Sequence, residues 1–151
     1  MSRLPHLLSP FEIKGLQLPN RLVMPPMCQY MAQDGVSQDW HFAHYAARAA
    51  GGVGLIIVEM TNVAPNGRIT PRCLGLWNDA QRDALRRIVD FAHACGSKIG
   101  IQIGHAGRKA QDCDDVVAPS ALPYGPPDFP GQRLKPPRAL ATDEEIGRAH
   151  V

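Results

Sequence analysis

Hydrophobic and polar positions along the chain fall into short periodic segments separated by clear breakers. Phe11 to Leu18 alternates apolar and polar residues around Lys14-Gly15, the pattern of a short hairpin. Arg21 to Met24 reads as a strand that Pro25-Pro26 stops, because proline cannot donate to a ladder. A helix is predicted next, with Ser37 as its N-cap, apolar surface from Trp40, Phe42, Tyr45, Ala46 and Ala49, and a left-handed stop at Gly51-Gly52. Leu55 to Val58 is an unbroken aliphatic run, as in a parallel-sheet strand buried on both faces.

After the turn Ala64-Pro-Asn-Gly-Arg, Asn78 with Gln81 makes a capping-box pattern. Ala84, Leu85, Ile88, Val89, Ala92 and Cys95 then recur at helical spacing until Gly96. Lys98 to Gly104 is a further strand with two unlike faces: Ile99, Ile101 and Ile103 on one, Gly100, Gln102 and Gly104 on the other. In a barrel the isoleucines would meet the helices, and the glycine face would look inward with Gln102 offering a donor and an acceptor. The order β-α-β-α-β makes the class α/β, and a doubly wound sheet and a barrel both satisfy it. Ala118 to Pro137 holds seven of the fourteen prolines and reads as an irregular surface loop, after which Thr142-Asp-Glu-Glu resembles another helix cap.

Composition narrows the function classes. At 151 residues, 44% hydrophobic and 20% charged, the chain suits one globular core. The net charge of +2 is scattered, which argues against nucleic-acid binding. Cys28, Cys73, Cys95 and Cys113 form no C-x-x-C pair, so neither a zinc site nor a disulfide framework is expected. The longest apolar run, Val53 to Val58, is too short to span a bilayer, and the start MSRLPHLLSP lacks a signal-peptide pattern. A cytoplasmic protein without membrane contact is expected.

Candidate chemistry sits where strands end. Cys28, in Pro25-Pro-Met-Cys-Gln-Tyr, lies at the C-terminal end of a strand, the edge where α/β enzymes place their sites. On composition alone, such a cysteine reads first as a small buried hydrophobe, a reading that the proline pair and the polar Gln29 and Tyr30 beside it weaken. His41 and His44 share a helix face but lack a third metal ligand, and packing is the simpler role. Gly104-His105-Ala-Gly-Arg matches neither a P-loop nor a G-x-G-x-x-G fingerprint.

Taken together, PPMCQY at 25–30, DWHFAHYAARAAGG at 39–52, GLIIVEMTNVAPNGRITP at 54–71 and KIGIQIGHAGRKA at 98–110 resemble the N-terminal part of the Old Yellow Enzyme family. The nearest branch is the cysteine-containing thermophilic-like and xenobiotic-reductase ene-reductases, and the likeness runs from about Leu7 to Glu145. The resemblance implies a (β/α)₈ TIM barrel, of which this chain carries the hairpin, about three strands and two helices. It implies FMN as cofactor, NAD(P)H as reductant, an activated alkene as small-molecule substrate, and frequent homo-oligomers among full-length members. Carried over by position, Pro26, Met27, Cys28, Met60 and Gln102 would line the flavin, Cys28 would tune its redox behaviour, and Tyr30 would lie at the substrate side. Met60 departs from the pattern, since relatives mostly carry a small residue there. Cys113 has no counterpart.

The resemblance also implies that the carbonyl clamp, the proton donor and the phosphate-binding strands lie outside these 151 residues, so unaided alkene reduction is not expected. Residues 1–145 read as the barrel part. Residues 146–151, with Glu145, spell what a common sequencing adapter encodes, so a non-native tail is expected there. Two alternatives stay open: a non-catalytic piece that binds flavin weakly or associates through its open barrel edge, and an iron-sulfur dienoyl-CoA reductase-like relative.

Overall fold

A computed structural model describes residues 6–110, 113–125 and 136–144. The predicted hairpin pairs β1 (Phe11–Ile13) antiparallel with β2 (Leu16–Leu18). Lys14 and Gly15 both take positive φ, as a two-residue hairpin turn requires. A parallel sheet follows in the order β3 (Val23–Met24), β4 (Leu55–Asn62), β5 (Lys98–Gly104). Helix α1 (Asp39–Ala50) connects its first pair of strands and α2 (Asp79–Ala94) its second.

Several boundaries moved. The strand expected over Arg21 to Met24 is only two residues long, because Val23 and Met24 alone pair with Leu55 and Ile56. Gln38, not Ser37, caps α1: its backbone is extended and its N–H donates to Nδ1 of His41 at 3.0 Å. Asn78 caps α2 as expected, its Oδ1 accepting from the Gln81 N–H at 3.0 Å. Gln81 does not complete a capping box, since its buried amide accepts from Trp77 N–H and donates to the Asp34 carbonyl. An unanticipated second hairpin lies at Asp34-Gly35, where Gln33 and Val36 bridge and both central residues have positive φ.

The core lies between the sheet and the two helices, where Ile56 and Val58 of β4 meet Tyr45, Leu85, Ile88 and Ala92. Phe42 and Phe91 join the helices edge to face at 5.4 Å, and the Arg87 guanidinium covers Phe42 at 3.9 Å. The proline-rich stretch is tied at its base by the parallel pair β6 (Val117–Ala118) and β7 (Arg138–Ala139). The expected cap at its far side is present in part: Glu144 accepts from the Ala141 N–H at 2.9 Å. Residues 146–151 lie outside the described residues. Among the described residues, no helix is long and apolar enough to cross a membrane.

Candidate functional site

β3 ends at Met24, and Pro25-Pro26 carry the backbone off the sheet into Met27, Cys28, Gln29 and Tyr30. Met27 is 47% exposed and Tyr30 is 40% exposed, whereas Cys28 is half-buried. The structure brings Cys28 together with two other predicted residues, since the Met60 backbone and the Tyr30 side chain lie near enough to its sulfur to favour the thiolate. Burial pushes the Cys28 thiol pKa up, with the charges of Glu59 and Cys73 adding to it and the neighbouring Met60 backbone and Tyr30 side chain opposing. Tyr30 sits at φ 53°, a left-handed conformation that costs a non-glycine residue about 1–2 kcal/mol and must be held by its surroundings.

The second wall is the sheet face that carries Met60 and Gly104. β4 extends past the predicted Val58 to Asn62, and its pairing with β5 contains a bulge. Val58 opposes Ile101 and Thr61 opposes Ile103, so Glu59 and Met60 together face the single residue Gln102. Burial follows the same skip: Val58 and Glu59 are both buried, and Met60 is half-buried. Met60 lies across β5, its Cγ and Sδ 3.3 and 3.4 Å from where a Cβ on Gly104 would stand. Gly100 likewise leaves room for the Ile57 side chain. Gln102, between the two glycines and exposed, is the polar side chain that β5 presents on this face near its C-terminal end, Lys98 standing at the other end of the strand.

Beneath the loop lies a group that the sequence reading missed. Glu59 is fully buried, yet its Oε2 accepts from the Gln29 N–H at 2.8 Å and its Oε1 from the Tyr45 hydroxyl at 3.2 Å. The Tyr45 oxygen in turn accepts from the Glu59 N–H at 3.0 Å. His41 Nε2 stands 3.7 Å from Oε1. Burial raises the pKa of Glu59 and of Tyr45, and lowers that of His41 to about 4. The available signal was a lone acid directly after an aliphatic run. His44 does not join His41 in a ligand set, and among the described residues no cluster of three or more His, Cys, Asp or Glu could hold a metal.

The remaining candidates take structural places. His105 packs on Gly67, and its Nδ1 accepts from the Gly107 N–H at 3.0 Å. Cys73 is buried beside Thr70, and Cys113 lies against the carbonyls of Asn66 and Asp115. The site is thus a shallow face at the C-terminal ends of three parallel strands, apolar at Met27 and Met60, with a thiol, a phenol and an amide at its margins.

Comparison with known proteins places this geometry. The chain is 53% identical over 120 residues to the NADPH dehydrogenase of Listeria monocytogenes serotype 4a, a stretch covering 78% of this chain and 36% of that enzyme. It is 46% identical over 142 residues to the NADPH dehydrogenase of Halalkalibacterium halodurans, covering 93% of this chain and 40% of that one. In structure it superposes on morphinone reductase in complex with tetrahydroNAD with a TM-score of 0.82 at 35% identity, over 95% of this chain and 43% of that protein. An Old Yellow Enzyme homologue from Zymomonas mobilis gives a TM-score of 0.77 at 31% identity, over 96% and 42%. The chain therefore spans about two fifths of the length of the relatives it matches. These neighbours are TIM barrels, which decides the barrel over the doubly wound sheet. A family model described as NADH:flavin oxidoreductase / NADH oxidase matches residues 6–145, the span that builds both walls of the site, and the chain belongs to that family.

Proposed function

We propose that this chain is the flavin-ring-binding part of an FMN-dependent NAD(P)H oxidoreductase that reduces activated C=C bonds next to a carbonyl. The observation that carries the reading is the convergence of Cys28, Tyr30 and Met60 beside the glycine-flanked Gln102. The family's cofactor is FMN and its reductant NAD(P)H. The residues present fit the ring of that group, since a planar heteroaromatic needs a flat apolar support and a few edge partners. Pro26 and Met27 supply support, and Met60 closes the side toward Gly104. The Gln102 amide can pair with a donor and an acceptor on the ring edge.

When bound, FMN supplies a two-electron carrier that accepts hydride from NAD(P)H and passes it to the electron-poor alkene carbon. Cys28 stays protonated at neutral pH by the direction of its shift, and so presents a neutral, polarisable sulfur beside the ring. Tyr30, half-exposed, places its ring and hydroxyl on the substrate side. The carbonyl clamp and the proton donor belong to the part of the barrel that these residues do not span, and turnover requires that part.

A chimera tests this reading, with residues 6–110 replacing the corresponding segment of the Listeria NADPH dehydrogenase. The expected result is a yellow protein that oxidises NADPH in the presence of an α,β-unsaturated ketone. A folded chimera without bound flavin would overturn it. The second reading, a non-catalytic piece that associates through its open edge, draws on the half-exposed Ile101 and Ile103 of β5. It predicts assembly of the chain without flavin.

A further inference from the structure

Glu59 occupies a position that chain geometry makes unusual. Unbroken alternation after Val58 would turn residue 59 toward the Met60–Gly104 face. The bulge opposite Gln102 instead leaves Val58 and Glu59 both buried, with the carboxylate against α1. Three donor groups surround it: the Gln29 N–H, the Tyr45 hydroxyl and, farther off, His41. His41 Nδ1 accepts from the Gln38 N–H, so a neutral His41 carries its proton on Nε2, the nitrogen nearest Glu59. A carboxylate accepts from the Gln29 N–H and the Tyr45 hydroxyl and leaves His41 Nε2 at 3.7 Å, beyond hydrogen-bond distance, whereas a carboxylic acid would bring a further proton into this group of donors.

The Gln29 peptide that Glu59 holds lies between Cys28 and the left-handed Tyr30. Its side chain adds two ties, accepting from the Trp40 indole at 3.2 Å and donating to the Met27 carbonyl at 2.9 Å. These ties over-determine the strained turn, the condition under which such a conformation persists.

We propose that Glu59 is the positioning residue of this site: from the β4 bulge, its buried carboxylate grips the Gln29 N–H and fixes the turn that presents Cys28 and Tyr30. The proposal rests on the reading of those two residues as the pair facing ring and substrate. The groups facing Cys28 are Glu59 from β4, Cys73 from the following loop and Tyr30 from its own segment. Glu59 itself faces Tyr45 and His41 of α1, and His44 lies one turn beyond His41. Of the charges on Cys28, that of Glu59 is the largest, and it disfavours the thiolate.

The test uses the flavin-free 151-residue chain, so its outcome does not depend on FMN binding. Alkylation of each cysteine by iodoacetamide is followed against pH by peptide mass spectrometry, with the exposed Cys95 as internal reference. Glu59→Gln keeps an acceptor for the Gln29 N–H and removes the charge. Cys28 should then alkylate about three- to tenfold faster at pH 7, because the charge that disfavours its thiolate is gone. Hydrogen exchange at the Gln29 amide should be slow in the wild type and in Glu59→Gln, and fast in Glu59→Ala. A role confined to packing would not move the Cys28 pH profile. An unchanged profile in Glu59→Gln, or an unprotected Gln29 amide in the wild type, overturns the proposal. The wild-type amide decides the anchoring even if a variant fails to fold.

Discussion

His41 is kept neutral by the fold. Burial lowers its pKa from 6.5 to about 4, with His44 adding to the effect. Its contribution to stability is therefore complete above pH 6.5 and lost as pH falls toward 4, where the unfolded chain takes up a proton that the folded chain refuses. Glu59 acts in the opposite sense, because its raised pKa lets the folded chain take up a proton first as pH falls. Thermal unfolding between pH 7 and 4 should show His41→Asn losing less stability on acidification than wild type, by about 2 kcal/mol. Parallel curves would show that His41 does not titrate on unfolding. Cys28 makes a second prediction, in the flavin-bearing chimera. If its thiol touches the ring, Cys28→Ala shifts the flavin midpoint by about 30 mV for each 1.4 kcal/mol of lost interaction. A redox titration that gives the wild-type midpoint together with a lowered melting temperature would reduce Cys28 to packing.

Among the elements, α2 depends on its first turn. Asn78→Ala removes the acceptor of the Gln81 N–H and should cost about 1 kcal/mol, or about 2–4 °C in melting temperature. Gly35→Ala should be worse, at about 2 kcal/mol or more, for two independent reasons. Its φ of 76° strains any side chain, and a Cβ there would stand 2.5 Å from Gln81 Nε2 and 2.8 Å from the Trp77 ring. Chemical denaturation of both variants checks the order; equal losses would show that the Asp34-Gly35 hairpin does not press on α2. The hairpin, the helices and the strand centres were legible in the sequence because each rests on local periodicity and turn chemistry. The β4 bulge was not, because it is a property of pairing with β5 and leaves no local mark in Glu59-Met60. Ser37 lost the cap to Gln38 for a similar reason: the partner that decides it is a histidine side chain drawn inward by the core.

At the scale of the molecule, three strands form part of a barrel ring, and among the described residues β5 pairs on one side only. A groove of about 530 Å³ runs along α2 and β5, lined by Val58, Leu85, Ile88, Val89, Ile99 and Ile101. A dye that fluoresces on apolar surfaces should bind the folded chain there, and Ile101→Lys should reduce the signal with helical content unchanged. Undiminished fluorescence would place the dye elsewhere. The proposed site offers FMN only ring contacts, since a flavin phosphate is typically anchored by backbone N–H groups at late strands of such barrels. The purified chain should therefore elute with FMN far below one per chain; near-stoichiometric flavin absorbance would show that the phosphate finds an anchor here.

The sequence by itself determined the α/β order, the hairpin turn, the caps and stops of α2, and the two faces of Lys98–Gly104, since each depends on neighbours within a few residues. Its motifs also carried the family, through several separate segments in matching order. Only the tertiary structure decided that Cys28, Tyr30 and Met60 meet, because they come from two strand ends brought side by side by parallel pairing. It also decided that Glu59 is a buried acid surrounded by donors and not a surface charge. A carboxylate 30 residues from the peptide it holds shows in the sequence only as a lone acid after an aliphatic run; a bulge that turns it inward and a helix that covers it are what bring it to that peptide.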